Sequence, residues 1–431
     1  MKKLLIILFL SLFFLQDVFS EGKFLPVISV KESIIQHYDS TESKHPRAIK
    51  EGFQSIPISY KNNALSSRIE REYPWSLPKR SINETTIRVL ALRIEFQPDC
   101  DPMSTGTGLF DLRDSLQFIF EEGHEIDRAP HDRKYFENHL EALKRYYYCV
   151  SDNKLNIEYD VYPKELNQAY RLPYPMVYYG QRGPFDGWLE SLGTFTYNSI
   201  ALADSLEPDI DFSLYDVVII FRAGSDWQSD MAGMQDSPDD LPGVNVFMGE
   251  PIPVDNGKHS VRSAMLIPET TCQDNRINAL NGLLAHEFGH QLGLPDLYST
   301  VDFRPFVGNF ALMDAGNLIG VSVGDLRISS GALPCYPCAW SRAFLGFNEV
   351  ITINESLNNI VCNAAELLNE SNKIYKIPIS PHEYFLIENR QTQPNNEEIG
   401  LYLVDGVIAG PANMNKEFVS AYDFLIPGSG L

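Results

Sequence analysis

Residues 283–296 read LLAHEFGHQLGLPD and hold the most specific chemistry in the chain. His286 and His290 stand four positions apart, so on a helix both imidazoles share one face and can bind a single metal ion. Glu287 follows the first His and reaches the same side, beside the metal rather than on it. There it can take a proton from a water that the metal activates. Asp296 lies just beyond Pro295, where the reversed chain can return a carboxylate as a third ligand. The segment therefore predicts a catalytic zinc site, with His286, His290 and Asp296 as ligands and Glu287 as the base. Two neutral imidazoles and one carboxylate leave a coordination position open for water.

Such a site needs elements that hold it. Leu284, Phe288 and Leu292 form an apolar stripe on roughly the opposite side of the helix, able to anchor it in a core. Gly293 supplies the stop, because a left-handed residue there turns the chain cheaply. Downstream, NFALMDAG at 309–316 places Met313 in a tight turn within reach of the metal. Tyr298 is near enough in sequence for oxyanion support, with packing as the alternative.

Upstream, residues 85–96 and 154–162 read as strands. Residues 135–150 read as an amphipathic helix, with Phe136, Leu140, Leu143 and Tyr147 at helical spacing. His139 on that helix reads as a packed or surface residue, and His124, His131 and His259 lack a partner at ligand spacing. Residues 184–206 look helical, and 214–221 form the continuous apolar run of a strand buried on both faces. Two short strands are expected at 244–248 and 264–267, the first a sheet edge that could bind extended substrate backbone. Beyond a helix at 339–346, runs at 360–364, 373–379 and 383–390 predict a β-rich segment.

The 431 residues, 44% hydrophobic and 21% charged, describe a globular chain large enough for a real core. A formal charge of −22 argues against nucleic acid or an anionic membrane as partner. Residues 1–20 carry Lys2 and Lys3 ahead of an apolar run too short to span a bilayer comfortably, which reads as a bacterial-type secretory signal with the mature chain from Glu21. No later segment is apolar enough to insert, so the product is expected to be secreted or extracytoplasmic, with no stable membrane insertion. Six cysteines in an exported chain suggest disulfides, and Cys335 with Cys338 reads as structural bridging rather than a redox pair. Asp226, Asp230, Asp236, Asp239 and Asp240 crowd residues 222–242 and offer oxygens of the kind calcium takes. Their spacing is not that of an EF-hand, and a solvated acidic loop accounts for them equally well. Oligomeric state is not legible.

Taken together, the pattern HExxHxxGxxD from His286 to Asp296, followed by the turn at Met313, Asp314 and Gly316, resembles that of metzincins with Asp in place of the usual third His. Within them, HEFGHQLGLPDLY and YFLIENRQ are similar to the immune inhibitor A family of secreted bacterial metallopeptidases. YFENHLEALKRYYYCVSDNKLNI, YDVVIIFRAG and PGSGL extend the likeness from about residue 85 onward. The resemblance implies an α+β fold: a metzincin-like catalytic domain with a mixed twisted sheet and an active-site helix, then a β-rich C-terminal segment. It implies zinc on His286, His290 and Asp296, Glu287 as general base and acid, and Met313 as a floor under the metal. It also implies that PGSGL runs on into a further strand, so the C-terminal segment is expected to be truncated.

The expected organisation is a signal at 1–20, a prosegment or N-terminal extension at 21–82, a zinc metalloprotease domain at 83–348 and a β-rich segment at 349–431. The expected activity is hydrolysis of peptide bonds in protein or peptide substrates. Two other readings stand beside it: a zinc-binding surface or adhesion module without catalysis, and a zinc amidase acting on cell wall.

Overall fold

The architecture is that of a computed structural model describing residues 23–26, 85–180, 185–230, 236–299, 303–380, 383–395 and 397–430. The expected signal, its cleavage point and all of the 21–82 extension except 23–26 lie outside these residues. So does the expected continuation past PGSGL.

A short strand β1 (Lys23–Pro26) is the first described element. Strand β2 (Thr85–Glu95) follows from the β-branched and apolar run expected there, and its second half is fully enclosed. A helix α1 (Ser115–Glu122) leads to α2 (Arg133–Val150), which starts where Asp132 accepts the Tyr135 N–H at 3.1 Å. Strands β3 (Leu155–Tyr162) and β4 (Tyr170–Arg171), short helix α3 (Met176–Gly180) and long helix α4 (Phe185–Leu206) come next. Strand β5 (Val217–Arg222) is buried at every residue, as a strand covered on both faces must be.

Strands β6 (Val244–Val254) and β7 (His259–Pro268) are longer than the two short strands expected and form one hairpin. Asp255, Asn256 and Gly257 take positive φ at its tip, where short polar side chains and glycine turn the chain at low cost. The central sheet has the order β3-β2-β5-β7-β6, parallel except for β6, which runs antiparallel at the edge. Phe136 of α2 packs on Phe221 of β5 with ring centroids 4.6 Å apart. From α4, Phe195 stacks on Phe96, just past β2, at 5.7 Å.

Helix α5 (Asn281–Gln291) carries HEFGH. A β-ribbon of β8 (Val321–Val323) and β9 (Leu326–Ile328) and a short helix α6 (Ala339–Phe344) follow it. Then β10 (Val350–Thr352), β11 (Ile374–Pro378) and β12 (Tyr384–Glu388) form a small sheet. Finally β13 (Ile399–Val404) and β14 (Val407–Asn413) pair as a hairpin, with β1 antiparallel on the free side of β13. Leu401, Leu403, Ile408 and Phe424 join the same buried apolar cluster as the central sheet.

The mixed α and β composition agrees with expectation, but two details do not. Residues 360–364 form a loop rather than a strand: Val361 is exposed, and Asn389 Nδ2 pins the Cys362 carbonyl at 3.0 Å. Nor are the cysteines bridged, for all six carry free thiols. Cys335 Sγ donates to the Tyr336 carbonyl, while Cys338 Sγ lies 3.6 Å from Ser341 Oγ, so the two side chains serve different neighbours. Burial pushes both thiols up in pKa, away from the thiolate that redox exchange requires. Among the described residues no helix is long and apolar enough to cross a membrane.

Candidate metal centre

Helix α5 is clamped at its N-terminus by groups distant in sequence. The Leu280 N–H donates to Asp127 Oδ2 at 2.8 Å, so a buried carboxylate stands at the positive end of the helix. Asn281 donates through Nδ2 to the Ile408 carbonyl at 2.5 Å, and its Oδ1 lies 3.2 Å from His139 Nδ1. His139 is thus a packed residue, as expected. Along the helix, Tyr147 of α2 donates to the Ala285 carbonyl at 2.7 Å and packs its ring on Phe288. Leu284, Phe288 and Leu292 are buried, confirming the apolar stripe.

The chain reverses at Gly293, whose φ of 96° lies in the left-handed region that other residues enter at a cost. The Leu294 N–H then reaches back to the Gly289 carbonyl at 3.0 Å, and the Leu297 N–H reaches the Met313 carbonyl at 2.7 Å. Between these two ties sits Asp296. Its Oδ1 lies 3.1 Å from His286 Nε2 and 3.2 Å from His290 Nε2. Ligand atoms of all three residues fall within 4.8 Å of one another.

The outer nitrogens of the two rings decide what this cluster accepts. His286 Nδ1 lies 3.0 Å from the Leu312 carbonyl and His290 Nδ1 lies 2.8 Å from the Leu294 carbonyl. A carbonyl can only accept, so each Nδ1 carries the hydrogen and each Nε2 is the ring nitrogen turned inward, available as a metal ligand. Two inward Nε2 atoms then converge on a carboxylate oxygen in a buried space, an arrangement that could hold a metal ion. The donor set, two imidazoles and one carboxylate, suits zinc. Burial pushes Asp296 upward in pKa, but His286 and His290 beside it outweigh that and hold it well below the usual carboxylate range.

Glu287 is buried next to the cluster, with the backbone N–H of Asn245 on β6 donating to it. Burial pushes its carboxyl up to about 8, His286 opposes this and Asp296 adds to it. A cation at the three ligands would draw that value down. Tyr298 is half-buried, hydrogen-bonds Asp296 and stacks 6.4 Å from the His286 ring. Met313 is fully buried beneath the helix at Gly289.

Some contributors left no mark in the sequence. Asn245 accepts from Gln291 at 2.5 Å and links the edge strand to the end of α5. Asp127 and Asn281 likewise act across long separations. The acidic loop behaves differently from the calcium expectation, because Asp240 accepts from Thr105 N at 2.7 Å and Oγ1 at 2.9 Å, and Asp226 accepts from Ser229 N at 3.2 Å. Asp230 and Asp236 come within reach of Asp274 rather than of Asp226 or Asp240. His259, unpartnered by sequence spacing, lies with Asp211 and Asp255 at the hairpin tip. His131 is paired to Glu269 at 2.8 Å, and His124 lies edge-on to Phe118 at 5.4 Å.

Paired imidazoles on a helix, a returning carboxylate and a buried acid alongside are the parts that a metal-dependent hydrolase uses. Residues 250–348 match the family described as immune inhibitor A peptidase M6, catalytic domain, which supports the resemblance to the immune inhibitor A-like metallopeptidases. That family implies a metal ion, usually zinc, and protein substrates. No curated protein matches the chain.

Proposed function

We propose that the chain is a secreted zinc endopeptidase that cleaves peptide bonds in proteins, with His286, His290 and Asp296 holding the metal and Glu287 as general base and acid. The observation that carries this reading is the convergence of the two inward Nε2 atoms on Asp296, with Glu287 buried next to them. When bound, zinc supplies Lewis acidity, polarising the scissile carbonyl and making the attacking water more acidic. Glu287 accepts the proton of that water and returns it to the leaving nitrogen. Tyr298 orients Asp296 through its hydroxyl. Substrate backbone adds along the edge strand β6, whose Asn245 already reaches Glu287. The Lys2–Lys3 start and apolar run of residues 1–20 support export.

The test is zinc content and casein cleavage for wild type and Glu287→Gln. The variant should keep its zinc and lose roughly 100- to 10,000-fold in kcat/KM, the usual share of a proton-transfer group. Undiminished cleavage by Glu287→Gln would remove the mechanism. Peptidoglycan cleavage without casein cleavage would replace the endopeptidase with a cell-wall amidase.

A further inference from the structure

The loop at 303–310 stands between the Asp296 turn and Met313, and its construction is unusual. Asp314 is buried, and its Oδ2 accepts three successive backbone N–H groups: Phe306 at 2.9 Å, Val307 at 2.7 Å and Gly308 at 2.9 Å. Its Oδ1 accepts the Ala315 N–H at 2.8 Å. A carboxylate with this many donors fixes the loop backbone firmly. Yet the side chains it presents are apolar and face water, with Phe306 73% exposed, Val307 39% and Phe310 37%.

The loop is also tied to the metal centre. Pro305 pairs with Tyr298, and the Phe303 ring lies 6.2 Å from that of Tyr298, which itself stacks near His286. The neighbouring Met313 carbonyl holds Leu297, one residue from Asp296. A rigid backbone that displays exposed aromatic groups beside a hydrolytic centre suits a surface that becomes covered when substrate binds.

We propose that Phe306, Val307 and Phe310 determine specificity, receiving a large apolar side chain of the substrate beside the scissile bond, and that Asp314 is the positioning residue that presents them. The occupant follows from continuity with the site and from the absence of charge on the three side chains. A peptide with Phe or Leu near the cleaved bond fits, and one with Asp or Glu there does not. This inference rests on the endopeptidase reading.

The test uses the zinc-loaded full chain and a peptide series differing at one residue beside the cleaved bond: Leu, Phe, Gly or Glu. Wild type should favour Leu and Phe over Gly by about tenfold or more in kcat/KM, the range a hydrophobic subsite supplies. Phe306→Ala and, separately, Asp314→Ala should collapse that ratio while zinc content stays constant. Phe306→Leu should restore most of it. Wild-type preference that is flat, or a ratio unchanged in Phe306→Ala and Asp314→Ala, overturns the inference alone. A zinc-loaded wild type that cleaves no peptide of the series overturns the endopeptidase reading as well.

Discussion

Gly289 and Met313 are in contact across the underside of the active-site helix: a Cβ placed on Gly289 would lie 2.5 Å from Met313 Sδ and 3.4 Å from the Tyr147 hydroxyl. A glycine one residue ahead of His290 is a poor choice for helix propensity, costing about 1 kcal/mol relative to alanine. Close approach of the methionine explains it. Gly289→Ala should therefore destabilise the fold by about 1–3 kcal/mol, the usual cost of overpacking, despite the better propensity. Denaturant unfolding decides the matter, and a variant as stable as wild type would mean that Met313 yields freely.

Asp296→Ala should lower zinc affinity by at least about 100-fold, since outer partners of metal ligands alone cost 10- to 100-fold. Elemental analysis after dialysis reads this directly. Full zinc occupancy in the variant would take Asp296 out of the ligand set.

Arg390 donates to the Phe310 carbonyl at 2.8 Å, to the Tyr336 carbonyl at 3.1 Å and to both oxygens of Asp423. It thereby joins the strand segment ending at β12 to the residues leading into the Met313 turn. Arg390→Met leaves a buried carboxylate unpaired and should cost about 3–5 kcal/mol, measured by urea unfolding. A loss under about 1 kcal/mol would show that water or a proton on Asp423 replaces the arginine.

Glu366 lies beside that pair. Burial, with Asp423 close by, raises its carboxyl above the ordinary 4.5, while Arg390 opposes the rise. The neighbouring Asp423 carboxyl moves downward, held by Arg390 against burial. A raised folded pKa contributes stability that is fully present below the unfolded value and lost as pH rises through the folded one. Glu366→Gln mimics the protonated acid, so its melting temperature should gain steadily on wild type as pH rises from about 5 to 9. A difference that does not vary with pH would show that Glu366 is ionised in the fold.

The site was legible where its chemistry is local. His286, Glu287, His290 and Gly293 declare themselves through helical spacing, and Asp296 through the reversal between them. Asp127, Asn281 and Arg390 were not, because their partners lie 153, 127 and 80 residues away. Single-sequence periodicity carries no information on such pairs. Asp314 illustrates a middle case: adjacency to Met313 was visible, but its capture of three amides depends on a loop conformation that spacing does not encode. The loop at 360–364 was misread because a short apolar run matches a strand equally well when neither face has a partner. The cysteines misled for a related reason: an even count says nothing of which thiols come together, and all six are free.

The tie from Asn281 to Ile408 has a temporal side. The active-site helix gains the Asn281 tie at its N-terminus only once the β13–β14 hairpin has been made, more than a hundred residues later in synthesis. Contacts that close such long loops form late. A nascent chain would therefore carry His286, Glu287 and His290 on a helix still missing one of its N-terminal ties. Chains cut short of residue 408 should be inert toward casein even when saturated with zinc.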